Sequence, residues 1–83
     1  GIRVHGLSAG PMKTLAGSAI ANARYVYRTS EHTAPLRRSV TLEDIGGTAT
    51  YLLSDLSAGV TGQIHYVDAG FHGMGMLPPG AAE

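Results

Sequence analysis

Two short apolar segments, one near each end of the chain, constrain the fold more than any other feature. The first, IRVHGLSA, runs from Ile2 to Ala9 and stops at Gly10-Pro11. The second, IHYV, runs from Ile64 to Val67 after a Thr-Gly-Gln turn. Both have the length of buried strands, and helical spacing dominates between them. Because strand–helix–strand connections favour parallel pairing through a right-handed crossover, the sequence predicts an α/β fold with a parallel sheet.

The first helical segment is weak and extends from about Leu15 to His32. Its apolar residues follow helical spacing, whereas Gly17 and Ser18 disfavour the first turn. Pro35 ends the pattern, because the residue before a proline avoids helical backbone angles. We therefore predict a marginal helix that starts soon after the first strand.

The second helical segment, SVTLEDIGGTATYLLSDL, carries stronger signals. Thr41 can cap the amide of Asp44, and Val40 and Ile45 occupy the positions of a hydrophobic staple. We expect the helix to close at Gly59. Its predicted buried stripe comprises Ile45, Ala49, Leu52, Leu53 and Leu56. The adjacent glycines at 46 and 47 predict a close neighbour against the helix backbone.

Size and composition suggest part of a larger domain. Two parallel strands in 83 residues make no stable sheet, since parallel sheets have both faces covered. A start at Gly1 rather than Met agrees with a truncated segment. The six basic and six acidic residues cancel, so composition gives no reason to expect a nucleic-acid or membrane partner. The absence of cysteine fits a reducing cytoplasm.

The turn AGPMKT is the one candidate ligand site that the residues themselves suggest. It follows the first strand, and ligands of open α/β sheets bind beyond the carboxyl ends of strands. Free backbone groups after Pro11 could bind a flat amide, and the Thr14 hydroxyl could reach a phosphate. The residues alone favour an ordinary strand-to-helix turn with Thr14 as the helix cap.

Other candidate motifs have simpler interpretations. GFHGMG has the reverse of the glycine order of a dinucleotide loop, and no helix pattern follows it. Tyr25 and Tyr27 suit packing on a helix, and Arg24 and Arg28 suit a solvated face or an acidic partner. No catalytic triad is indicated. The histidines lack metal-ligand spacing and favour structural roles: His5, His32, His65 and His72.

From GIRVHGLSAGPMKTLAG and PLRRSVTLEDIGGTATYLLSDLSAGVTGQIHYVDAG, the chain resembles the C-terminal segment of bacterial NADH-dependent enoyl-acyl carrier protein reductases. These are divergent short-chain dehydrogenases/reductases. The resemblance covers Gly1 to about Phe71. It implies the C-terminal portion of a Rossmann-type, doubly wound parallel sheet, with last strands Ile2–Ser8 and Ile64–Val67. The implied divisions are a strand and cofactor loop (1–14), substrate-lid helices (15–34), a crossover helix (41–58), a last strand (63–68) and a tail (69–83).

The resemblance also implies roles for individual residues. Cofactor binding, with NADH as the cofactor, would fall to Pro11, Met12, Thr14, Leu15 and Ala16. The fatty chain would face Gly17, Ile20 and Ala23, and Arg24 would contact the acyl carrier protein. The family often has a bulky aromatic at the position of Ala23, which implies a wider pocket here. The whole protein would be a cytoplasmic homotetramer.

The family's catalytic Tyr and Lys, six residues apart, cannot occur here, because the single lysine, Lys13, precedes every tyrosine. The resemblance therefore implies that the isolated chain is inactive. Two alternatives remain: another short-chain dehydrogenase, such as a ketoacyl reductase, and a small non-catalytic interaction module. The form SAGPMKTLAG argues against the ketoacyl reductase. If the chain is an interaction module, the isolated 83 residues should melt cooperatively. We instead expect the isolated chain to fold poorly.

Overall fold

A computed structural model of the chain describes residues 1–13 and 23–75. The regular elements in these ranges, in chain order, are strand β1 (Gly6–Ala9), helix α1 (Ala23–Thr33), helix α2 (Leu42–Leu53) and strand β2 (Ile64–Val67). Single 3₁₀ turns cover Asp55–Ser57 and Phe71–Gly73. β1 and β2 pair in parallel, with Gly6 opposite Ile64 and Ala9 opposite Val67. The predicted α/β arrangement with parallel strands is confirmed.

The first strand is shorter than the sequence predicts, whereas β2 has its predicted bounds. The ladder begins at Gly6 rather than Ile2. Val4 lies beside the turn before β2 instead: its amide donates to Thr61 Oγ1 at 2.9 Å, and its carbonyl accepts from the Gly62 amide at 2.9 Å. Gly62 has φ of 74°, a turn conformation that cannot continue a ladder. The prediction of strand structure from Ile2 is wrong for that reason.

α2 begins as predicted. The Thr41 hydroxyl accepts from the Asp44 amide at 3.2 Å, and Asp44 Oδ2 accepts from the Thr41 amide at 2.9 Å, which completes a capping box. Ile45 packs against the cluster that contains Val40. These contacts lie within a few residues of one another, and the sequence therefore predicts them well.

The carboxyl end of α2 differs from the prediction. The helix stops at Leu53, because Ser54 takes extended angles and its hydroxyl accepts from the Leu56 amide at 3.2 Å. Leu52 is buried, but Leu53 and Leu56 are each 83% exposed, so the five-residue buried stripe and the closure at Gly59 are wrong. The predicted buried stripe required one continuous helix, and the 3₁₀ turn at Asp55–Ser57 interrupts the helical periodicity.

The glycines at 46 and 47 also lack the expected neighbour. A Cβ built at either position meets no other described atom within 4 Å, and both residues are exposed. Within the described ranges, the prediction of a close contact at the helix backbone is therefore wrong.

Among the described residues, few apolar side chains are fully buried. The main cluster consists of Ala34, Val40 and Ala69, with Met12, Ile45 and Val67 packed against it, and Leu52 is also buried. His65 and Val67 of β2 are half-buried, whereas Ile64 and Tyr66, on the other face of the strand, are 64% and 51% exposed. One face of the sheet is thus covered and the other is open.

Arg3 ties the first segment to the end of α2. Its Nη1 donates to the Ser57 carbonyl at 2.7 Å and to Ser57 Oγ at 2.8 Å, and its Nη2 donates to the Ser54 carbonyl at 3.1 Å. Ser57 is 1% exposed. The guanidinium thus satisfies carbonyls just beyond the helix end, where a positive charge is also favoured by the helix dipole.

No helix in the described ranges is long and apolar enough to cross a membrane.

Candidate functional site

The loop after β1 lies against the carboxyl end of β2. The Gly10 amide donates to the Val67 carbonyl at 2.9 Å. A Cβ at Gly10 would lie 3.0 Å from the Cα and Cβ of Asp68, so a side chain would push the two segments apart. Glycine is therefore needed for this close approach. The loop sits at the sheet edge where ligands of parallel α/β folds bind.

Pro11 and Met12 follow Gly10 and are half-buried. The Met12 side chain packs against the cluster around Val40. This contact anchors the loop to the apolar core. Its backbone amide and carbonyl make no hydrogen bond to another described residue. A backbone that is held by its side chain, and whose polar groups are available, suits recognition of a flat amide group.

Lys13 and Glu31 connect this loop to α1. Lys13 Nζ lies 3.0 Å from Glu31 Oε1, and the same oxygen accepts from Ser39 Oγ at 3.0 Å. The hydrogen bond from Lys13, followed by that from Ser39, lowers the pKa of Glu31 below its ordinary value. The carboxylate therefore stays charged at neutral pH and joins three segments of the chain.

Two open cavities flank this ion pair. One, of about 530 Å³, is lined by Ala23, Arg24 and other α1 residues. The other, of about 520 Å³, is lined by Met12 and by residues 38–43. Lys13 and Glu31 line both. The structure thus brings the predicted residues Ala23 and Arg24 to a groove beside the loop that carries Pro11 and Met12.

A turn follows β2 at Asp68, the residue that Gly10 approaches closely. Asp68 Oδ1 accepts from the Gly70 amide at 3.0 Å, and Oδ2 accepts from the His72 amide at 3.1 Å. His72 Nδ1 lies 3.3 Å from Asp68 Oδ2, and its ring stacks on Tyr66 at 3.9 Å between centroids. A cavity of about 340 Å³ opens here. Asp68 fixes the path of the chain as it leaves the strand.

His5, just before β1, packs against His65 of β2. The rings of His5 and His65 meet edge to face at 5.8 Å, and His5 Nε2 lies 3.3 Å from Arg3 Nη1. In residues 1–13 and 23–75, no three His, Cys, Asp or Glu side chains are placed to hold a metal ion. Tyr25 is about half exposed, and Tyr27, on the same helix, lines the groove of Arg24.

Five of the predicted site residues lie outside the described ranges: Thr14, Leu15, Ala16, Gly17 and Ile20. Their roles stay predictions. Sequence reasoning missed Glu31, Ser39 and Asp68. An Asp followed two residues later by Gly at a strand end is a signal for the Asp68 turn. The Lys13–Glu31 pair carries no comparable signal, because the two residues belong to different elements.

The sequence model described as "Enoyl-(Acyl carrier protein) reductase" matches residues 1–72. The curated enoyl-[acyl-carrier-protein] reductase [NADH] 1 of Rhizobium meliloti (strain 1021) is 57% identical over 76 residues, which are 92% of this chain and 28% of that protein. The corresponding NADH enzyme of Rickettsia conorii is 57% identical over 74 residues, 89% of this chain and 28% of that protein.

Solved structures agree with these matches. The structure of FabI from Candidatus Liberibacter asiaticus has a TM-score of 0.85 at 53% identity and covers 92% of this chain and 30% of its own. An enoyl-(acyl-carrier-protein) reductase from Anaplasma phagocytophilum, solved in complex with NAD, has a TM-score of 0.84 at 49% identity, with 92% of this chain and 29% of its own covered.

The chain spans less than a third of the length of each of these relatives. The similarity nevertheless covers β1, its loop, both helices, β2 and the Asp68 turn. Because the family's sequence model matches nearly the whole chain, the chain belongs to the enoyl-(acyl carrier protein) reductase family.

Proposed function

We propose that this chain is part of an enoyl-acyl carrier protein reductase that reduces trans-2-enoyl thioesters with NADH. The observation that carries the proposal is the loop Gly10–Lys13, held at the carboxyl ends of two adjacent parallel strands with the Met12 backbone available. Relatives over half identical to the chain are named as NADH enzymes, and a solved neighbour is in complex with NAD. When bound, NADH supplies the hydride that reaches the β-carbon of the substrate.

The residues present fit the nicotinamide end of such a cofactor. Met12 would bind the carboxamide through its backbone, with Pro11 beside it. Thr14 would contact the pyrophosphate, and Leu15 and Ala16 would cover the cofactor. The fit rests on the anchoring of Met12 by the core cluster and on the close approach of Gly10 to Asp68, which together fix the loop.

The groove on α1 suits the acyl substrate. Ala23 lines it, and Gly17 and Ile20 would complete the apolar surface for the fatty chain. Small side chains there leave room for an alkyl group. Arg24 lies beside Ala23 and would contact the acidic carrier protein. The complete enzyme would be a cytoplasmic homotetramer.

We further propose that the chain is the C-terminal part of the enzyme's Rossmann-type domain. In a dinucleotide-binding domain, the first strand is followed by a Gly-rich loop and a helix that receive the pyrophosphate. Here β1 is followed by Gly10-Pro11 and Met12, which do not form that fingerprint. The open face of the sheet at Ile64 and Tyr66 supports a position beside further elements. The catalytic Tyr and Lys would come from another part of the protein, and the 83-residue chain alone would not turn over substrate.

The test uses the full natural polypeptide. NADH oxidation is measured with a trans-2-enoyl thioester and, separately, with a 3-ketoacyl thioester. Turnover of the enoyl thioester supports the proposal. Turnover of the ketoacyl thioester alone would assign another short-chain dehydrogenase. A protein that oxidises NADH with neither, yet melts cooperatively as the 83-residue chain, would be an interaction module.

A pair of variants tests the role of the Met12 backbone. Met12→Ala removes the side chain and keeps the amide, whereas Met12→Pro also removes the amide donor. If the amide binds the cofactor, the KM for NADH should be about three- to tenfold higher in Met12→Pro than in Met12→Ala, the size of one lost hydrogen bond. Equal KM values for the two variants would show that the Met12 amide does not bind the cofactor.

A further inference from the structure

The Glu31 carboxylate joins three segments that are distant in sequence. Lys13 belongs to the loop after β1, Glu31 to α1, and Ser39 to the segment before α2. Lys13 Nζ and Ser39 Oγ each lie 3.0 Å from Glu31 Oε1. We call these three residues the Glu31 latch. Its two contacts meet on one oxygen, so the loss of the charge on Glu31 weakens both.

The loop has few other attachments. Gly10 is held by the Val67 carbonyl, and Met12 by the apolar contact of its side chain. Within the described residues, no backbone hydrogen bond holds residues 11–13. The ion pair of Lys13 is thus the one polar tie, among the described contacts, between the loop beyond Gly10 and α1.

The exposure of the pair indicates what it can do. The side chains of Lys13 and Glu31 are 66% and 32% exposed. Exposed ion pairs add little to the free energy of unfolding, because water and salt screen them. A weak tie of this kind can still shift the backbone of loop residues that no hydrogen bond holds to another described residue.

We propose that Glu31 is a positioning residue that acts through Lys13 to set the backbone at Met12 for the cofactor. This rests on the proposed function, since it assigns the Met12 backbone to the nicotinamide carboxamide. Although Glu31 lines both cavities, its role in this scheme is to hold Lys13 rather than to bind cofactor or substrate. Because the latch also fixes the loop to α1, the cofactor loop and the helix that carries Ala23 keep a constant relative position.

The experiment compares four variants of the full natural polypeptide with wild type: Glu31→Gln, Lys13→Met, the double variant of these two, and the charge swap Lys13→Glu with Glu31→Lys. Asp55→Asn is the matched control, because Asp55 is an exposed carboxylate on the 3₁₀ turn after α2, makes no side-chain hydrogen bond or ion pair to another described residue, and lines neither cavity beside the loop. Hydrogen exchange of the Gly10 amide, which the Val67 carbonyl protects, is measured without cofactor, and KM for NADH and kcat are measured separately.

We expect Glu31→Gln to accelerate exchange of the Gly10 amide and to raise the KM for NADH about three- to fivefold, with kcat changed less than twofold. The double variant should be no worse than Glu31→Gln, and the charge swap should recover part of the loss. High salt should reduce the difference from wild type. Asp55→Asn should match wild type in every measurement.

Several outcomes would overturn the inference. Exchange and KM in Glu31→Gln equal to those in Asp55→Asn would show that the latch does not hold the loop. Faster exchange with an unchanged KM would show that it holds the loop without serving the cofactor. A wild-type protein that does not oxidise NADH with any enoyl thioester would refute the proposed function, and with it the cofactor role, while the exchange data would still decide whether the latch exists.

Discussion

Replacing Arg3 with methionine is expected to destabilise the folded protein by about 2 to 3 kcal/mol. Methionine keeps much of the apolar stem but removes the guanidinium. The change deletes the hydrogen bonds to Ser57 at 2.7 and 2.8 Å and to the Ser54 carbonyl at 3.1 Å. Bonds with a charged partner contribute roughly 1.5 to 3 kcal/mol net. The lost charge at the end of α2 adds about 0.3 to 1 kcal/mol. After the substitution, the Ser57 and Ser54 carbonyls still accept hydrogen bonds from uncharged groups of the chain. The expected loss of stability therefore lies near the lower end of these ranges.

The assay is urea unfolding of the full natural polypeptide, with Ser57→Ala and the double variant completing a mutant cycle. Residues in contact should show a coupling of about 0.5 to 3 kcal/mol. Arg24→Met is the matched control, because Arg24 is exposed and makes no contact of this kind with another described residue; its effect should stay within about 0.5 kcal/mol. A cost for Arg3→Met as small as that of the control, or strict additivity with Ser57→Ala, would refute the assignment.

Three further predictions follow from the described contacts. Gly70→Ala should destabilise the protein by about 1 to 3 kcal/mol in urea unfolding, because Gly70 has φ of 90° and a Cβ there would lie 2.9 Å from Pro35 Cγ. Gly46→Ala, in open space on α2, should instead stabilise it by up to about 1 kcal/mol. The reverse order of stability would contradict both expectations. The hydrogen bond from Arg38 lowers the pKa of Asp44 from 3.8 to about 2. The stability that Asp44 contributes is therefore fully present above pH 3.8 and is lost as the pH falls through 2. The free energy of unfolding of Asp44→Asn should lack this acid-dependent part, and identical pH profiles for the variant and wild type would count against it. The isolated 83-residue chain should melt without cooperativity by circular dichroism, because few apolar side chains are buried in the part of the chain that the structure describes. A sharp, reversible two-state melt of a monomer would disprove this.

The accuracy of the sequence-based predictions depends on the range of the interactions involved. The capping box of Thr41 and Asp44 spans three residues, and it forms as predicted. The helical stripe through Leu53 and Leu56 fails, because one serine hydroxyl at Ser54 ends α2 early and turns Leu56 outward. Helix continuity is a balance of small local terms, and the hydrophobic pattern alone does not reveal which residue ends it.

The candidate site divides in the same way. The loop at Pro11 and Met12 could be located from the sequence, because it follows a strand in a parallel fold and has a form typical of its family. Glu31 and Ser39 could not, since their contact with Lys13 depends on how α1 packs beside the loop.

The sequence by itself therefore determined the parallel pairing of two strands through helices, the start of α2, and the family. All of these depend on local hydrogen bonds, on periodicity, or on motifs within continuous stretches. Only the tertiary structure decided that Arg3 binds carbonyls more than fifty residues away at 54 and 57, and that Glu31 meets Lys13. Such contacts form when packing brings distant polar groups within hydrogen-bond range, and no local pattern specifies which groups will meet.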